Sequence, residues 1–273
     1  MLLKNFEERD FAVLRRPLES GRQSPRNIGV ILLVAGLFCQ AILLFLGYEI
    51  SQHSIYPYAR EIFYIHLGVS LILAVISILY AIPAIYSRFQ KSQYFVSIVI
   101  SQNLFGVSPY LLVLIMIGAD LPVIVTDNIK ESLLVFTYVT LTVGVIVLIL
   151  TSIRFYFLLK RGAYRLGSNK DQTRKKFEKK SYLPAVIIGS TALVLIMQYL
   201  LRTLNLENFD TALIVTLLLL IFYTMVFVLP EQLVILYCKF RFNSFNFDSN
   251  GTYLISLQET ATEDEKSSQK KWQ

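Results

Sequence analysis

Charged residues divide this chain into long apolar runs. Six stretches of 20 residues or more carry no Asp, Glu, Lys or Arg: 27–48, 62–87, 92–119, 132–153, 181–201 and 211–230. Each matches the roughly 20 apolar residues that a helix needs to cross the hydrocarbon core. The last is expected to continue past Glu231 to Cys238. None alternates with the period of a barrel strand. Backbone groups in lipid must be bonded within the segment or within a closed barrel, so the runs predict helices. The expected fold is all-α: a polytopic six-span bundle over 27–238, with a soluble segment over 1–26 and a partly disordered tail over 239–273.

Lys and Arg give the direction of insertion. The N-terminal segment, the second and fourth connections and the tail together carry 23 of them, ten within 154–180. The remaining connections hold Arg60, Lys130 and Arg202, one each. The imbalance alternates with every span, and the positive-inside rule then places both termini in the cytoplasm. The first apolar run follows a long charged segment and is too long for the core of a cleaved signal, so it reads as a retained span.

Helical spacing sorts the polar positions within spans. Gly29, Gly36, Gln40 and Gly47 share one face of the first; His66, Ser70, Ser77 and Ala84 one face of the second. Thr137, Thr140, Gly144 and Thr151 align in the fourth, Pro184, Thr191 and Gln198 in the fifth, and Thr224 with Glu231 in the sixth. Small and hydroxyl-bearing faces suit helix contacts, leaving Leu, Ile, Val and Phe to lipid. The third span departs from this. In SQNLFGVSP, 101–109, Ser101 and Ser108 fall on one side and Gln102, Asn103 and Gly106 across the other. Pro109 also removes the donor for the Phe105 carbonyl. The third span is therefore expected to be central and kinked or broken near Gly106–Pro109, with Pro230 a second kink. Ser101, Gln102, Asn103, Ser108, Gln40, His66, Gln198 and Glu231 form the candidate polar path or set of interhelical contacts.

The soluble pieces are less patterned. NFEERDFAVLRRPLE, 5–19, puts Phe6, Phe11 and Leu14 near one face of a short helix that Pro17 would end, either in the membrane interface or as a frayed tail. The loop 161–181 shows no sustained amphipathic period. Its Arg174, Lys175, Lys176, Lys179 and Lys180 suit either solvation beside anionic headgroups or docking of another membrane or cytoplasmic subunit on 154–180. Asn250-Gly251 is a hairpin-turn signal.

Composition agrees with a membrane protein: 55% hydrophobic and only 16% charged, against about 25% charged in soluble domains. The net charge of +7 reads as a topology signal, with the lipid bilayer as partner and no nucleic acid. Two cysteines, Cys39 and Cys238, suggest neither a disulfide nor a metal site. Thr142-Val143-Gly144-Val145 lacks the second glycine of a potassium filter. No HExxH or phosphate-loop sequence occurs, and His53 and His66 are too few for paired transmembrane haems. No catalytic motif and no cofactor are expected. Glu231 is the one acid set inside a span, which makes it a functional candidate by default.

Two functions fit this pattern. The first is transport, by a permease or permease subunit with a polar path beside the third span. The second is a non-catalytic accessory or binding subunit of a membrane complex, such as a sensor component or an immunity-type protein. A cavity reaching Gln102 or Asn103 distinguishes them. Short outer loops and the size of the charge bias favour the plasma membrane of a bacterium.

Overall fold

The computed structural model describes residues 3–119, 127–179, 207–248, 251, 253 and 254. Five helices are long and apolar enough to cross a membrane, and there is no strand among the described residues. The protein is a membrane-embedded helical bundle. The expected fifth span, 181–201, lies outside the described residues, as do Pro184, Thr191 and Gln198. The tail beyond 254 also lies outside them.

Helix α1 (Pro25–His53) starts with Ser24 accepting from the Asn27 amide and Pro25 in the first helical position, a strong N-terminal combination. Helix α2 (Ala59–Ala81) returns and stops at Ile82, held extended before Pro83, as expected of a residue preceding proline. Helix α3 (Gln90–Ala119) and α4 (Asp127–Lys160) follow. Helix α5 (Asn169–Lys179) is polar, and α6 (Glu207–Arg241) closes the bundle.

The central position of α3 is plain from burial. Its most apolar stretch is 67% buried, against 28% or less in the other four. Of the kink or break expected near Gly106–Pro109, the break does not occur. The chain stays helical and widens into a π-helix over Asn103–Val107, in which the Ser108 amide donates to the Asn103 carbonyl. A π turn admits one extra residue. It gives the proline ring room where a regular turn would set it against a carbonyl. Phe105 and Val107 are exposed, so the segment 101–109 turns an apolar edge outward between its polar groups. Pro230 likewise sits within an unbroken helix.

The predicted inner faces are mostly those observed. Gly29, Gly36, Gln40 and Gly47 are buried, as are His66, Ser70, Ser77, Thr140 and Gly144. A Cβ at Gly36 would meet Ser77 Oγ at 2.3 Å, so α1 and α2 touch backbone to side chain there. Two positions depart from expectation. Ala84 is exposed, because α2 has already ended. Thr224 is exposed as well, its hydroxyl bonded to Leu220 O of its own turn; back-bonding of this kind satisfies a threonine without a neighbouring helix.

The N-terminal segment is neither frayed nor a simple amphipathic helix. It forms a 3-10 helix, Glu8–Arg15, with every residue from Asp10 to Arg15 buried. Pro17 does not end a helix; it sits in the first turn of the short helix Arg16–Glu19. Phe11, Val13 and Leu14 join Phe155, Leu159, Tyr164, Cys238, Phe245 and Phe247 in one apolar cluster. The N-terminal segment, the 161–174 stretch and the start of the tail thus fold together as a cap on one end of the bundle. Of the Asn-Gly turn signal, Asn250 lies outside the described residues; among the described ones Gly251 has a φ of +82° and Phe247 and Tyr253 form an antiparallel bridge.

Candidate functional site

The polar groups of the candidate path fall in two places. At mid-bundle, α1, α2 and α3 contribute Gln40, His66, Ser70, Asn103 and Ser108, all buried. Gln40 Nε2 donates to Ser108 Oγ at 3.0 Å and Ser70 Oγ at 3.3 Å. Asn103 Nδ2 donates to Gln40 Oε1 at 3.2 Å and Ser70 Oγ at 3.1 Å. Ser108 Oγ donates to Asn103 O at 2.8 Å and lies 3.0 Å from His66 Nε2. With the Ser108 proton given to the carbonyl, the 3.0 Å contact is a hydrogen bond in the His66 tautomer that carries its proton on Nε2, and Ser70 Oγ, 3.5 Å from the same nitrogen, serves the other tautomer.

Two π segments aim these side chains. In α1, Val34–Cys39 is a π-helix ending at Gln40, whose amide reaches back to Ala35 O. In α3 the π-helix begins at Asn103 and ends before Ser108. The extra residue in each helix shifts the register so that an amide side chain from each meets at one level.

The other candidates lie toward the cap. Ser101 bonds its own helix at Ile98 O. Gln102 Nε2 donates to Met225 O at 3.2 Å and Gln232 Oε1 at 3.0 Å, tying α3 to α6 on either side of Pro230. Glu231 pairs with Arg174 Nη2 of α5. It therefore acts as a strut between span and cap and takes no part in the mid-bundle network. The backbone of Lys175, Lys176 and Lys179 is helical in α5; their side chains, and the whole of Lys180, lie outside the described residues.

Further ion pairs hold the cap. Asp171 is fully buried and takes both Arg16 Nε and Nη2 at 2.9 Å, with the Gly167 amide at 3.0 Å. Asp10 accepts from Arg165 at 2.7 Å, and Ser244 bonds Glu8. Arg241 reaches the carbonyls of Leu3 and Lys4 at 2.9 Å, which joins the N-terminal segment to the end of α6 directly. Lys170 Nζ donates to Tyr164 OH at 2.7 Å. Burial pulls the Lys170 ammonium below the ordinary lysine range, against the opposing pull of Glu231.

Two cavities flank Glu231. One, of about 350 Å³, lies between α4, α6 and the cap and is lined by Arg154, Lys170 and Tyr164 among others. The second, of about 260 Å³, lies between α1, α3 and α6 and reaches Ser101 and Gln232. Neither touches the mid-bundle network. Among the described residues no group of three metal-ligating side chains is present.

Sequence reasoning missed Gln232, Arg154 and Asp171. Asp171 offered a signal, one acid amid ten cations over 154–180 with only Glu178 beside it. No protein-family model matches the chain, and no curated protein or solved structure is similar to it.

Proposed function

We propose that this protein is a non-catalytic binding or accessory component of a plasma membrane complex, and that its working surface is the cap end. The mid-bundle network carries this reading. Its amides and hydroxyls bond one another across three helices and border neither cavity beside Glu231. A permease path beside the third span would need those same groups to face a route for solute.

The topology belongs to the same proposal. The cap joins the N-terminal segment and the start of the tail to the 161–174 stretch, which supports an even number of crossings between them. Five described helices are fit to cross, and the reading assigns the sixth crossing to 181–201. The charge bias sets the cap in the cytoplasm. External labelling should reach His53→Cys and miss Lys170→Cys; labelling of the latter in intact cells would reverse the orientation.

One observation favours transport: the second cavity brings Ser101 and Glu231 to a common crevice. Thiol accessibility in a background lacking Cys39 and Cys238 separates the two readings. With the network sealed, Ser70→Cys stays unreactive toward a small water-soluble reagent from both sides, while Ser101→Cys reacts from the cap side. Reaction of Ser70→Cys from both sides would replace the accessory reading with transport. Purification in mild detergent then identifies the partner.

A further inference from the structure

The cavity between α4, α6 and the cap has a chemistry of its own. Arg154 is the first charge after the 22 uncharged residues 132–153, and Glu231 the first after the 20 residues 211–230. At 1.5 Å per residue the longer run spans about 33 Å, the thickness of the hydrocarbon core. Both residues therefore stand at the boundary between acyl chains and headgroups, and α5 lies outside it. The cavity of about 350 Å³ is apolar on its bundle side, at Phe227 and Val228, and carries Arg154 and Lys170 toward the cap, where Leu158 adds a further apolar contact.

The charges do not cancel. Glu231 lines the cavity, but its carboxylate is engaged by Arg174. Among the described residues Arg154 meets no carboxylate and rests its guanidinium 5.9 Å from the Phe227 ring centre. Lys170 spends one donor on Tyr164 OH. Arg154, Lys170 and Arg174 against Glu231 leave two positive charges at the headgroup plane, beside a wall that suits methylene groups. A guanidinium fork and an ammonium are the groups that hold phosphate oxygens.

We propose that this cavity is a binding site for the phosphate headgroup of an anionic phospholipid, with the first methylenes of its chains against Phe227 and Val228. A basic pocket between spans on the cytoplasmic side is a setting in which such headgroups are held. The proposal rests on the cytoplasmic placement of the cap, and stands apart from the accessory role. A site of this kind would couple α4, α5 and α6, which meet at Arg154, Lys170 and Glu231, and would favour the assembled cap in an anionic membrane.

The test is lipid retention by the detergent-purified protein in native mass spectrometry, with phosphatidylglycerol and phosphatidylcholine of matched chains. Wild type should retain phosphatidylglycerol at least about tenfold better, and Arg154→Gln with Lys170→Gln should abolish the preference, because each cation near the surface contributes about a factor of five. The charge-preserving pair Arg154→Lys with Lys170→Arg should keep it. Equal retention of the two lipids by wild type overturns the proposal without any variant. So does an unchanged preference in the Gln pair. Displacement of bound lipid by inorganic phosphate alone would make this a site for free phosphate and equally overturn the lipid assignment. External labelling of Lys170→Cys reads the underlying orientation separately.

Discussion

The mid-bundle network and the cap solve the same problem, burial of polar groups, in opposite ways. The network is neutral: two amides, two hydroxyls and an imidazole from three helices, each bonded to another. The cap is charged: Asp171 with Arg16, Asp10 with Arg165, Glu231 with Arg174. Depth explains the choice. Lipid on every side makes a charge at mid-bundle costly, whereas the headgroup plane tolerates one. The energetic weights differ too. Interhelical hydrogen bonds in membranes average about 0.6 kcal/mol, because the unassembled helices also find partners in lipid. A buried ion pair that loses one member leaves a charge behind, at about 3–5 kcal/mol.

The largest expected effect is therefore in the cap. Arg16→Ala removes the two bonds that Arg16 gives to the fully buried Asp171 carboxylate. Stability should fall by about 3 kcal/mol, short of the upper figure because the Gly167 amide still supports the carboxylate. Thermal unfolding in detergent measures it. Arg165→Ala is the internal control. Its side chain is 54% exposed, and the buried Asp10 that it leaves keeps the Glu7 amide, so the loss should be the smaller one, about 1 kcal/mol. Equal losses in the two variants would mean that the cap does not shield Asp171 from solvent.

An intermediate effect belongs to the seam between α1 and α2. Gly36→Ala drives a methyl into Ser77, 2.3 Å from Oγ and 2.9 Å from Cβ. Rotating the hydroxyl cannot relieve the second contact, so the helices must separate. About 1–3 kcal/mol should be lost, and the loosened seam should weaken the network below it, since Gln40 lies one turn beyond Gly36. Adding Ser77→Gly should restore most of the stability, because it removes both clashing atoms. A Gly36→Ala variant as stable as wild type would show that the two helices are not in register at this point.

The contrast also explains what could be read from the sequence. Gly36, Gln40, His66 and Ser70 declared themselves because lipid imposes a binary choice on each helical face, and their spacing satisfied it. Thr224 misled, since threonine can satisfy its hydroxyl within its own helix. Pro109 suggested a kink or a break because the missing amide was visible in the sequence, while the π turn that keeps the helix continuous there was not. The cap was the least legible part. In the 3-10 helix Glu8–Arg15 the residues from Asp10 to Arg15 are all buried, so no apolar period marks a face. Its partners lie 155 residues away: Arg165 donates to Asp10, and Arg16, next after the helix, donates to Asp171. Charged residues in a soluble segment ordinarily signal solvent, and here they signal pairing.

The smallest effect is expected at the network, and it bears most on function. Asn103→Leu removes two donors, to Gln40 Oε1 and Ser70 Oγ, and supplies an apolar side chain of similar size. Gln40 keeps Ser70 and Ser108 through its own amide nitrogen, and Ser108 keeps the Asn103 main-chain carbonyl. Only the Gln40 carbonyl oxygen is left without its donor. The loss should be about 1 kcal/mol, between the average and the largest values measured for such bonds. Association with the partner should be unchanged, because the changed side chain lies at mid-bundle and the proposed working surface is the cap. Arg16→Ala should behave in the reverse sense, costing more stability and weakening partner association, since it loosens the cap itself. If Asn103→Leu instead leaves the protein folded and abolishes its cellular role, the network is the working site, and the division between a structural mid-bundle and a functional cap fails.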